Sequence, residues 1–158
     1  MQMDLAVLFL RVCLGSIFVV HAGVKLGWQD ISVFWTTENL IASTLYHLGP
    51  FIRLVAHTFD FLTLEQAKIL AITAALIEFT GGCLLIIGFF TRFAALWLCL
   101  LMLGAIYYHL PNGFSAAIGG YEWALLCLAG SQVLLFLGSG SFSLDGILRA
   151  ISTAESRA

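Results

Sequence analysis

Four apolar runs dominate the chain: residues 5–26, 67–90, 93–110 and 121–138. A bilayer's hydrocarbon core is about 30 Å thick, so a spanning helix needs about 20 predominantly apolar residues. Each run meets or approaches that length. In hydrocarbon every backbone N–H and C=O must be paired within the protein, which leaves helices and closed barrels as spanning structures. Barrel strands are about ten residues of alternating polarity. The runs here are longer and continuous, so they read as helices. Nothing in the rest of the chain offsets them: 61% of the 158 residues are hydrophobic, only 10% are charged, and mean hydropathy is +1.01. A soluble domain of this size carries more charge on its surface. The expected fold is all-α: one membrane domain, residues 1–158, built as a four-transmembrane-helix bundle. The lipid bilayer is its first partner. A net charge of −2 argues against nucleic acid.

The first run does not resemble a cleaved signal peptide. Its leading residues Met-Gln-Met-Asp lack a basic residue, and it is longer than a signal core. Connections differ in kind. Thr91-Arg92 predicts a tight turn between the second and third helices, and HLPNGFSAAIGGYE predicts a loop between the third and fourth. The first connection, residues 28–66, is long and not polar. Within it Phe51, Leu54, Val55, Phe59 and Leu62 recur at helical spacing, while Arg53, His57 and Asp60 fall opposite. That is an amphipathic helix suited to the headgroup plane, or to capping the bundle. Trp28, Trp35 and Tyr46 fit an interfacial aromatic belt.

An even number of spans puts both termini on one side, with Arg92, Arg149 and Arg157. Lys25, Arg53 and Lys68 lie on the other. Short loops weigh most in the positive-inside rule, which favours Arg92 and the tail as cytoplasmic. The tail, residues 139–158, reads as short and amphipathic. Cys13, Cys83, Cys99 and Cys127 each fall in a different apolar run, with no C-x-x-C. They read as small buried hydrophobes rather than as disulfides or a zinc site.

Ionisable residues within a membrane span cost about 2.5–3.5 kcal/mol each on insertion scales, so they face protein and have partners. In the second run Ala71, Ala74, Ala75, Glu78, Gly81 and Gly82 share one side. Small residues let a neighbouring helix approach, so Glu78 points at protein. In the first run His21 and Lys25 are four residues apart and share a face. His109 ends the third run, and Tyr121 and Glu122 open the fourth. His21, Lys25, His109, Tyr121 and Glu122 therefore converge near the outer surface, with Glu78 deeper and Arg11 in the inner half. Three uses compete. Structural ion pairs would join Lys25 to Glu122 and Arg11 to Glu78. A pocket for a quinone or similar redox ligand would use His21, Lys25 and Tyr121 to bind it, with Glu78, His109 and Glu122 handling protons. A carboxyl group in low dielectric holds its proton more tightly than in water, and imidazole titrates near neutrality, which suits that role. Haem between His21 and His109 is the third, without a motif behind it. No spacing suggests a metal site.

The stretches LRVCLGSIFVVHAGVKL, IEFTGGCLLIIGFFTRFAAL, GGYEWALL and GSGSFSLD, in this order, resemble the DoxX family. The resemblance covers nearly the whole chain apart from residues 28–66. It implies a four-helix protein of a bacterial inner membrane, with matching positions at Arg11, Gly15, His21, Lys25, Glu78, Gly81, Gly82, Thr91, Arg92, His109, Gly113, Phe114, Tyr121, Glu122 and Asp145. It further implies an accessory or quinone-interacting subunit of a membrane oxidoreductase or respiratory complex, working with other subunits or as a homo-oligomer. The alternative is a non-catalytic scaffold or assembly protein that docks a larger complex.

Overall fold

The computed structural model describes residues 2–27 and 40–156, so Trp28, Trp35 and Arg157 lie outside the described residues. Among these residues there are six α-helices and no β-strand: α1 (Gln2–Lys25), α2 (Leu40–Thr58), α3 (Leu64–Ile87), α4 (Thr91–His109), α5 (Glu122–Leu137) and α6 (Leu144–Glu155). Three are long and apolar enough to cross a membrane: α1, α3, and α4 with the 3-10 turn that follows it to Asn112. The fourth apolar helix, α5, has 16 residues, about 24 Å at 1.5 Å per residue. It falls short of the expected 121–138 because Gly138, at φ 82°, turns the chain out of the helix.

α1, α3, α4 and α5 pack in a closed ring, each against the next and α5 back onto α1. The α1–α3 contact is the most extensive. Its centre is a glycine pair. A Cβ on Gly15 would lie 2.7 Å from the Gly82 carbonyl oxygen, and one on Gly82 would lie 2.8 Å from the Gly15 carbonyl oxygen. The two backbones touch because neither residue has a side chain. Gly81, one residue round the helix, makes room for Leu98 of α4. Ala67, Ala71, Ala74, Ala75, Glu78, Gly81, Gly82 and Leu85 form the buried side of α3. Phe18, Leu85, Leu98, Leu128 and Leu134 fill the centre of the ring. Cys99 and Cys127 are buried there, whereas Cys13 faces outward, a departure from the reading of all four cysteines as core residues. Among the described residues no cysteine is disulfide-bonded.

α3 starts earlier than its apolar run because Thr63 caps it. The Gln66 N–H donates to Thr63 Oγ1 and the Thr63 N–H donates to Gln66 Oε1 (2.9 Å), a capping box. α3 runs on past the end of α1, and α2 packs there. Val55 of α2 is buried against Ala67 and Ala71, with Phe51, Ile52, Ala56 and Phe59 around them. Arg53, His57 and Asp60 face away from the protein, and Tyr46 is exposed. α2 thus caps the bundle.

The turn between α3 and α4 is Gly88-Phe89-Phe90, not Thr91-Arg92, which are the first residues of α4. Gly88 ends α3 in the left-handed conformation (φ 73°). Phe90, at φ 47°, is the one non-glycine residue with positive φ among those described. The Asp145 carboxylate holds it there, accepting from the Phe90 N–H (3.0 Å) and the Thr91 N–H (3.2 Å). This is an N-cap of α4 supplied from 54 residues away, where a negative charge also meets the positive end of the helix dipole.

Candidate functional site

The polar residues of the bundle fall into three groups. In the first, Lys25 Nζ donates to Glu78 Oε2 across the α1–α3 seam as an ion pair. The register follows from the glycine contact. α1 and α3 run antiparallel, so the C-terminal end of α1 comes level with the middle of α3, and the Lys25 side chain reaches Glu78. The Glu78 side chain is 4% exposed and that of Lys25 24%. Phe51 of α2 places its ring 4.6 Å from Nζ, a cation–π contact. The pair is therefore a buried carboxylate held against an ammonium that reaches the bundle surface beneath an aromatic face. Among the described residues, Glu78 is the one hydrogen-bond acceptor on Nζ.

The second group joins α4 to α5. His109 Nδ1–H donates to the Gly119 carbonyl (2.7 Å), which Asn112 Nδ2 also reaches (3.1 Å). A carbonyl only accepts, so the proton of this bond sits on Nδ1. Glu122 Oε2 accepts from the Ala116 N–H (2.9 Å). Tyr121 packs edge-on to Phe114 (5.5 Å), and its N–H donates to the Gly113 carbonyl. A Cβ at Gly120 would collide with the Gly113 carbonyl oxygen, so the connection closes this tightly only with glycine there.

The third group lies at the opposite end of the ring. Arg11, 1% exposed, donates Nη2 to the Phe142 carbonyl and packs over Gly88, where any Cβ would strike its guanidinium. Asp4 accepts from the Ser141 N–H (3.0 Å) and Oγ (2.7 Å). Ser143 caps α6 by accepting from the Gly146 N–H (2.9 Å). Arg149 donates to Ser139 Oγ (2.7 Å), and Arg92 donates to the Phe136 carbonyl (3.1 Å). These bonds tie residues 136–149 across the ends of α1, α3, α4 and α5.

The two structural ion pairs expected from the sequence are not the ones formed. Lys25 pairs with Glu78 rather than Glu122, and Arg11 meets a backbone carbonyl rather than Glu78. The expected outer cluster also divides. Gly81 faces Leu98, which puts Glu78 about level with Leu101. His109 is then eight residues, or about 12 Å, further along α4. Among the described residues no hydrogen bond or ion pair links His109 or Glu122 to the Lys25–Glu78 pair. His21, four residues before Lys25, is exposed on the outside of α1. Among the described residues no group of three or more metal-ligating side chains comes together.

Phe51 over Lys25, and the Asp145 and Asp4 contacts, were not among the site residues expected. Ser143-Leu-Asp-Gly carries a local signal, since a serine three residues before a free N–H is a helix start. The reach of Asp145 to α4 has no local signal.

The DoxX family model matches residues 6–110, about two thirds of the 158 residues. The matched segment includes Arg11, Gly15, His21, Lys25, Glu78, Gly82 and His109. It ends before Tyr121, Glu122 and the α6 clamp. No curated protein and no solved structure matches the chain. A family match of this extent, on an all-helical chain with three helices fit to cross a membrane, has one reading: the chain belongs to the DoxX family of membrane proteins.

Proposed function

We propose that this protein is an accessory, quinone-interacting subunit of an oxidoreductase in a bacterial inner membrane. In this reading α1, α3, α4 and α5 all cross the bilayer, both termini are cytoplasmic, and α2 lies at the outer headgroup plane. Other subunits of the redox complex, or further copies of the chain, pack against the spans.

One observation carries the reading: the carboxylate of Glu78 is buried while its partner Lys25 stays partly open under Phe51. An ammonium has three donors, and among the described residues one is spent on Glu78. A quinone headgroup is flat and carries two carbonyl acceptors. Lys25 and the Phe51 ring fit those features. When bound, a quinone supplies the electron chemistry that no side chain of this protein provides. Lys25 would orient the headgroup, and Glu78 would hold a proton beside it.

A scaffold reading has its own support. His109 and Glu122 spend polar atoms on holding the α4–α5 connection, and the Gly15–Gly82 seam is a packing device. Glu78→Gln separates the two. A variant with normal membrane abundance that no longer binds a short-chain quinone in nanodiscs supports the quinone site. Normal abundance with unchanged binding supports the scaffold.

A further inference from the structure

Most of the molecule's apolar exterior belongs to the spans, where lipid covers it. α6 is different. It packs along no other helix among the described residues, and none of its residues is buried. Yet Leu144, Ile147, Leu148 and Ile151, at positions i, i+3, i+4 and i+7, form a continuous exposed apolar stripe. Thr153 lies about 180° round the helix from Leu144. Left in water, such a stripe would be a liability.

The placement of α6 says what covers it. Its first turn is bolted to the end of the ring. The Asp145 N–H donates to the Gly88 carbonyl (3.0 Å) while the Asp145 side chain caps α4. Arg149 Nε donates to the Asp145 carbonyl (3.1 Å) and Nη2 to Ser139 Oγ, so the second turn is fixed too. This end of the ring is where the lipid-facing belt stops. Phe90, Phe93, Phe136 and Leu137 are among the large exposed apolar side chains there. Leu137 and Ile147 line one open cleft of about 550 Å³ between α6 and the ends of α1 and α5, with Asp4 and Arg149 at its polar part. The belt and the stripe therefore meet at Leu137 and Ile147, with Asp4, Ser141 and Arg149 on the polar side of the cleft.

We propose that α6 is a membrane-surface helix. Its stripe is seated in the acyl–headgroup boundary of the leaflet at the Gly88 end of the ring, with Arg149 at headgroup level. Such helices bury their apolar face about 5–10 Å into that boundary. The occupant is lipid rather than a protein because the stripe meets a surface that is already lipid-covered. The helix's charges are Asp145, Arg149 and Glu155, a net negative set, so the seat is apolar and needs no anionic lipid.

The test uses the full chain reconstituted in phosphatidylcholine vesicles, with a photo-crosslinking benzophenone amino acid at Ile147, Ile151 or Thr153, and at Phe136 as a lipid-facing control. After irradiation, adducts are identified by mass spectrometry. The proposal expects phospholipid adducts at Ile147 and Ile151 as at Phe136, and none above the unirradiated background at Thr153. Adding phosphatidylglycerol should leave the yields unchanged. All four residues lie at exposed positions, so the folded state is kept. Equal labelling at Ile151 and Thr153, adducts to a second copy of the chain in place of lipid, or adducts only when phosphatidylglycerol is present would each overturn it.

Discussion

Replacing Gly82 with alanine should weaken the bundle, while the same change at Gly104 should not. At Gly82 the new Cβ would sit 2.8 Å from the Gly15 carbonyl oxygen and 3.0 Å from the Val19 nitrogen. Both partners are backbone atoms of α1, so no rotamer change relieves the contact. Relief needs the helix axes to move apart by about half an ångström or more, and a gap of that size already forfeits a quarter to a half of each dispersion contact beside it. Overpacking of this kind costs about 1–3 kcal/mol. The seam matters more than most because helices in lipid associate through close packing rather than through the hydrophobic effect. Along the same seam, Arg11 sits about 6 Å and Lys25 about 15 Å from Gly15. The displacement therefore loosens the Arg11 bond to Phe142 most and reaches the Lys25–Glu78 pair less. At Gly104, inside α4, a Cβ meets nothing within 4 Å. There alanine removes only the helix penalty of glycine, a gain of about 0.5–1 kcal/mol. The assay is reversible unfolding in mixed micelles with rising dodecyl sulfate, followed by tryptophan fluorescence. Opposite signs are expected for the two variants. A Gly82→Ala protein as stable as its parent would refute the backbone-contact account of the seam.

Other perturbations give distinct signatures. Asp145→Ala removes both N–H acceptors at the start of α4 and should cost about 1–2 kcal/mol, with faster hydrogen exchange at Phe90 and Thr91. Glu122→Ala leaves the Ala116 N–H without its acceptor and should cost about 1 kcal/mol. Glu122→Gln keeps an amide oxygen and should restore slow exchange at Ala116. Lys25→Met alone strands the Glu78 carboxylate and should cost about 2–4 kcal/mol, less than a fully buried pair because Lys25 is partly exposed. Lys25→Met with Glu78→Leu should recover most of that loss, as read by the same micelle unfolding.

Local patterns carried much of the fold. The small-residue side of α3, with Glu78 in it, was visible as a helical repeat, and so was the exposed Arg53–His57 side of α2, though that helix ends at Thr58, short of Asp60 and Leu62. Both depend on residues within a few turns of one another. Register between helices was not visible. Glu122 looked like the partner of Lys25 because both fall at helix ends, but α3 begins at Leu64 and overshoots α1. The end of α1 therefore meets the middle of α3, and the Gly15–Gly82 contact decides the pairing. His109 and Glu122 were drawn toward a common site by their nearness in depth. In the structure the α4–α5 connection folds on itself through left-handed Gly113 and Gly119, and takes both side chains for its own bonds. Asp145 reaches α4 only once the whole ring is closed, so no window of sequence contains the cap and its helix together.

The central claim is that the Lys25–Glu78 pair serves a bound quinone as well as the bundle. Exchanging the two residues, Lys25→Glu with Glu78→Lys, keeps an ion pair on the seam but puts the carboxylate at the open position under Phe51. The direct measurement is equilibrium binding of a short-chain quinone to the parent and exchanged proteins in nanodiscs, alongside their unfolding midpoints. The account predicts that the exchange restores most of the stability lost in either single variant and leaves quinone binding abolished. Stability and binding restored together would contradict it.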